Sequence, residues 1–146
     1  MVIEERIGVR ARPLVAWELV ASPSAMTRLS SEVVSVEWVD LTPALAGSVF
    51  RGHHRVGPFR WSTTNVIERA VPGKVFAWRT VEGRGSSVML CSYEFSRTPN
   101  GCEIAERFRP GNWLAAAECR LGRGLMIRRA MRATLRKLSS MLDGGA

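Results

Sequence analysis

What this chain has little of narrows it first. Its 146 residues carry two histidines, one tyrosine and three cysteines. Cys91, Cys102 and Cys119 show no paired short spacing, and His53 and His54 add too little to build a structural zinc site. No metal is expected, and the thiols read as reduced and buried. No apolar run approaches the roughly eighteen residues that span a bilayer. The opening "MVIEERIGVRAR" carries acids and no continuous apolar stretch, so no signal peptide is read and a cytoplasmic location is expected. There is no GxSxG elbow and no carboxylate pair suited to glycoside chemistry. "GRGSS" has neither the lysine nor the spacing of a phosphate-binding loop. No cofactor is expected.

What is present describes one globular domain over residues 1–146, 46% hydrophobic and 23% charged. Lysine and arginine outnumber the acids 21 to 13, and all but Lys74 and Lys137 are arginine. These cations are spread along the chain, which reads as a solvated basic surface rather than a nucleic-acid footprint.

The first eleven residues read as a strand with Ile7 and Val9 on one face. "RPLVAWELVASP" then has proline at a first helical position and Leu14, Trp17 and Val20 or Ala21 at helical spacing. "SPSAMTRLS" starts a second short helix at Ser22-Pro23. From there the period is two. "EVVSVEWVD" puts Val34, Val36 and Trp38 on one face, and five more strands follow between turns at Gly57-Pro58, Pro72-Gly73, "GRGS" and Pro99-Asn100-Gly101. A two-residue Asn100-Gly101 turn would set Tyr93 opposite Phe108, Phe95 opposite Glu106 and Glu94 opposite Arg107. It also sends Cys91 and Cys102 to opposite ends of the hairpin.

From Asn112 to Leu142 the pattern is helical. Ile127, Met131, Leu135, Leu138 and Leu142 form one stripe, while Leu114, Leu121 and Leu125 lie on another, rotated by roughly a quarter turn. The break coincides with "LGRG", where a kink or a close approach to a sheet is expected. Arg128, Arg129, Arg132 and Arg136 flank the stripe.

This order of elements, together with "VAWELVASPSAMTRLSSEVVSVEW", "GSVFRGHHRVGPFRWST", "ERAVPGKVFAWR" and "CSYEFSRTPNGCEIAE", resembles the polyketide cyclase/dehydrase-type members of the SRPBCC (START-like) superfamily from about Ile3 to Leu142. The resemblance implies an α+β helix-grip fold: a curved antiparallel sheet of about seven strands wrapped around a long C-terminal helix, with two short helices after the first strand. It implies an internal cavity for a hydrophobic or aromatic molecule, and leaves open whether the protein is an enzyme or a carrier. The chain departs from many relatives at His54 and Cys91.

Neighbours on a strand face opposite ways, so His53 and His54 do not converge. Phe50, Gly52 and His54 share the expected inner face, and His53 lies outside with Arg51 and Arg55. His54 is the candidate acid or base, weighed against a structural histidine bonded to backbone or water. Tyr93 is the candidate carbonyl donor, weighed against a core aromatic with a satisfied hydroxyl. Glu106 needs a partner such as Arg97 or a ligand. The expected ligand-binding residues are Phe50, Trp61, Phe76, Trp78, Met89 and Cys91, with Phe95, Glu106, Phe108 and Leu121 completing the wall. Trp17 and Trp38 read as ordinary core. The expected function is binding of an aromatic or polyketide-like molecule by a monomer or homodimer, with cofactor-free cyclisation or dehydration as the expected chemistry if the protein is an enzyme. The alternatives are a lipid or quinone carrier, or a module that meets RNA or an anionic membrane through the Arg128–Arg136 flank.

Overall fold

A computed structural model describes residues 1–29, 33–39, 45–82 and 87–144. Strand β1 (Ile3–Val9) is followed by α1 (Pro13–Val20) and α2 (Pro23–Leu29). Strands β2 (Val33–Trp38), β3 (Val49–Val56), β4 (Phe59–Val71), β5 (Val75–Glu82), β6 (Ser87–Thr98) and β7 (Gly101–Pro110) come next. The chain ends in α3 (Trp113–Glu118), a π-turn (Cys119–Arg123) and α4 (Gly124–Asp143). The seven strands form one antiparallel sheet in the order β1-β7-β6-β5-β4-β3-β2, with the C-terminal helix against its concave face. The "GRGS" turn lies outside the described residues.

One half of the concave face is filled. Phe76, Ile104 and Leu138 are fully buried there, with Phe95 and Leu135 beside them. Helix α1 closes this half: the Trp17 indole N–H donates to the Val75 carbonyl at 2.8 Å, and its ring meets Phe76 edge-on. Leu14, expected on the buried side of α1, is exposed; Ala16, Trp17 and Val20 face the core instead.

Two departures from simple alternation have backbone causes. A register shift between Val33 and Ser35 inserts one residue into β2, so Val34 turns outward at 56% exposure. Val36 and Trp38 keep their inward side, the latter edge-on to Phe50. In the last hairpin, Thr98 pairs with Gly101, so the turn is Pro99-Asn100 and every pair moves by two residues. Tyr93 therefore faces Glu106, Phe95 faces Ile104 and Glu94 faces Ala105. Proline suits the second position of such a turn. Gly101 pairs in the ladder, where a Cβ would lie 2.1 Å from the Val9 carbonyl oxygen, so no side chain fits there. A shift of two preserves both faces, and Arg107 still reaches Glu94 diagonally at 2.6 Å. Cys91 pairs across from Phe108 and Cys102 across from Arg97, and no disulfide joins the described cysteines.

The helix break is a kink. Gly122 adopts φ +116° inside the π-turn, and nothing lies within 4 Å of where its Cβ would be. The extra residue of the π-turn re-phases the helix and leaves Leu121 pointing to solvent at 88% exposure.

Candidate functional site

The other half of the concave face is hollow. A cavity of about 210 Å³ lies between the sheet and α4, with Ile127, Met131 and Thr134 on the helix side. Of the residues singled out in the sequence, Phe50 and His54 reach it from β3, and Trp78 from β5. Met89, Cys91 and Tyr93 reach it from β6, and Glu106 and Phe108 from β7. Phe76 and Phe95 do not line it: they are packed in the filled half under α1. Trp61 sits at the rim, stacked on His54 outside the cavity wall, and Leu121 is turned away by the kink.

Sequence reasoning passed over the polar residues of this wall. Thr63 and Asn65 on β4 and Thr80 on β5 are buried on the concave face, joined in one chain of hydrogen bonds. The Thr80 hydroxyl donates to Asn65 Oδ1 at 2.5 Å, and Asn65 Nδ2 donates to Thr63 Oγ1 at 3.1 Å and to the Phe50 carbonyl at 3.3 Å. Thr63 Oγ1 lies 2.9 Å from His54 Nε2. Gly52 makes room for this last bond, since a Cβ there would come within 3.0 Å of both atoms. The signal was alternation: 63, 65 and Ile67 share the parity of a buried strand face.

His54 stacks on Trp61 at 5.2 Å and 7° between planes, and the Arg123 guanidinium lies 5.5 Å from the same indole. Burial, then the nearby charges of Arg123 and His53, push the imidazole down to about 4. It is neutral at physiological pH. Its Nδ1 is covered and has no partner. His53 is on the convex side, bonded to Ser62 Oγ at 2.9 Å and Glu37 at 3.1 Å.

Tyr93 stacks on Trp78 and donates its hydroxyl to Glu106 Oε1 at 2.9 Å. Burial, followed by the charge of Glu106, holds the phenol well above its ordinary range. Burial also raises the Glu106 carboxyl to about 8; the Tyr93 hydrogen bond opposes this and Glu5 adds to it. Arg97, the partner suggested by sequence, pairs across from Cys102, one residue from the hairpin turn and four along β6 from Tyr93. The arginines that do come near, Arg128 and Arg132, both bond Glu5 at 2.9 Å. Half of the basic flank thus pins α4 to β1. Glu106 Oε2 is covered and bonded to nothing. The site therefore offers an imidazole nitrogen and a carboxyl oxygen, both on groups whose burial disfavours the charged form, within a largely apolar cavity.

The sequence matches the family described as polyketide cyclase/dehydrase and lipid transport over residues 1–142. No curated protein matches it significantly. Among solved structures, the di-domain ARO/CYC StfQ from the steffimycin biosynthetic pathway superposes with a TM-score of 0.78 at 12% identity, over 97% of this chain and 50% of that one. A protein from Nitrosomonas europaea gives 0.75 at 10% identity over 97% and 94% of the two chains. The Aha1 dimer from Colwellia psychrerythraea gives 0.68 at 12% identity over 98% and 96%. At these identities the structures speak for the fold alone, a seven-stranded helix-grip. The match along nearly the whole sequence goes further: this chain belongs to the polyketide cyclase/dehydrase and lipid transport family.

Proposed function

We propose that the protein binds a small, ring-bearing apolar molecule in the hollow half, with cofactor-free enolisation of a ketone as the chemistry its wall supports. The observation that carries this reading is the pair of covered, unpartnered polar atoms, His54 Nδ1 and Glu106 Oε2, on residues that line a largely apolar cavity. Buried polar atoms in native proteins nearly always have partners, so two orphans on side chains that line one cavity fit a ligand that supplies them. An apolar cavity of about 150 Å³ takes up benzene. About 210 Å³ therefore suits one substituted ring or two small fused rings.

In the tautomer whose Nε2–H donates to Thr63, His54 Nδ1 presents a lone pair to the ligand. A base of pKa about 4 is weak. It takes a proton from carbon only where the neighbouring carbonyl is strongly polarised. Tyr93 is bonded to Glu106, so its hydroxyl reaches a ligand only through that carboxyl.

Native mass spectrometry of freshly purified protein, followed by organic extraction, tests the binding half: a discrete ring-containing molecule is expected. Empty protein that also ignores apolar dyes would overturn it. The catalytic half is read by NMR, as deuterium entering the α-position of a bound ketone in D2O. Incorporation lost in His54→Gln supports proton transfer. Ligand recovered unchanged, with no incorporation, identifies a carrier.

A further inference from the structure

We propose that Glu106 stands in the cavity as a neutral carboxylic acid, donating a hydrogen bond from Oε2 to a carbonyl oxygen of the bound ligand, with Tyr93 as the residue that positions it. The inference rests on the ligand-binding reading above and names the ligand's chemical class: a ketone or other neutral carbonyl compound.

Two carboxylates stand face to face across the sheet. Glu5 on β1 and Glu106 on β7 are ladder partners, so both point to the concave side. Like charges directly opposite one another across a ladder repel. The structure resolves the conflict unequally. Glu5 receives both Arg128 and Arg132, and Glu106 receives neither. Among the described residues its only hydrogen-bond partner is the Tyr93 hydroxyl, which gives its single proton to Oε1. An ionised Glu106 would be a covered charge with one hydrogen bond, no cation among the described residues and an anion across the ladder. That is costly, and the cheaper state keeps the proton.

The position of that proton follows. Oε1 accepts from Tyr93, so the acid proton resides on Oε2, the atom that has no partner. A covered O–H on a side chain that lines a largely apolar cavity is a donor waiting for an acceptor. Apolar sites elsewhere hold a carboxylic acid neutral at pH 7 for this purpose. A ligand carbonyl satisfies it; a hydroxyl-free hydrocarbon does not. An ammonium ion would require the ionised form, and the flanking charges disfavour it. Groups that bear on the titration are Glu5 from β1, Tyr93 and Cys91 from β6, His54 from β3, and Arg123, Arg128 and Arg132 from the C-terminal helix. The carboxyl's value of about 8 agrees with the geometry.

The test needs no knowledge of the natural ligand. Infrared difference spectra of wild type against Glu106→Gln at pH 7 should show a carboxylic-acid carbonyl band that the variant lacks; its absence overturns the proposal. Binding of 1-tetralone, of tetralin (the same rings without the oxygen) and of 2-aminotetralin is then compared by calorimetry. The ketone should bind about tenfold more tightly than the hydrocarbon, the size of one hydrogen bond to a buried donor. Glu106→Gln keeps an acceptor for Tyr93 and an N–H for the ligand, so it should retain most of that preference, whereas Glu106→Leu should abolish it. In wild type the preference should vanish as pH rises above about 8. Tyr93→Phe removes a bond that favours the ionised carboxyl, so it should move that loss to higher pH. A glutamine variant as defective as the leucine one, or an amine preferred over the ketone, overturns the proposal. Equal binding of ketone and hydrocarbon overturns it while leaving the cavity reading intact, and binding of none overturns both.

Discussion

The two halves of the concave face share one sheet and one helix yet hold opposite contents. Beneath α1, Phe76, Phe95, Ile104 and Leu138 fill the space with apolar side chains, and the Trp17 indole N–H that enters there is bonded. Toward the π-turn the same strands supply Thr63, Asn65, Thr80, His54 and Glu106, and a cavity remains. The difference is set strand by strand. On β6, Phe95 fills one half while Tyr93 and Cys91 border the other; on β7, Ile104 and Glu106 divide in the same way. The filled half is packed for stability, and the hollow one holds the polar groups.

Mutations should separate these roles. Phe76→Ala, in the filled half, should cost about 3–5 kcal/mol in chemical denaturation. Glu106→Gln should have the opposite sign. The folded chain keeps this proton up to about 8, whereas the unfolded chain loses it near the ordinary value of 4.5. Its contribution is thus fully present below 4.5 and is lost as pH rises through 8. At pH 8.5 the variant should exceed wild type by about 2–4 kcal/mol, with no difference at pH 4. His54 titrates the other way. Its value falls from 6.5 to about 4, so its contribution is present above 6.5 and is lost as pH drops toward 4. His54→Gln should remove about 1–2 kcal/mol of that acid-side loss, read from denaturation midpoints between those values. Gly122→Ala should cost about 1 kcal/mol, because its positive φ is strained for any side chain. Leu121→Ser should change stability by less than about 0.5 kcal/mol and leave ligand binding unaltered.

Sequence made the filled half more legible than the hollow one. Period-two and period-3.6 patterns identify every element, and the inward side of Phe50, His54, Tyr93 and Glu106 follows from alternation. Alternation fails where the backbone adds a residue: the bulge that turns Val34 out leaves no residue-level mark, and "LGRG" marks the break in the helix but not the π-turn that exposes Leu121. The hairpin register eluded the reading because the close approach of Gly101 to Val9, distant in sequence, decides which residues form the turn. Phe76 and Phe95 show a further limit, since alternation gives the face of a strand and not the half of the face that α1 covers. Glu106 shows the deepest one. Its state depends on Glu5 taking both arginines, an assignment among residues more than a hundred positions apart.

The contrast between the halves is tested most directly by NMR of the methionine methyl groups during titration with 1-tetralone. Met89 and Met131 border the cavity, Met141 packs against the filled core, and Met126 is exposed. The account predicts saturable shifts at Met89 and Met131, with Met141 and Met126 unmoved. Shifts at Met126 alone, or at none of the four while the ketone demonstrably binds, would contradict it.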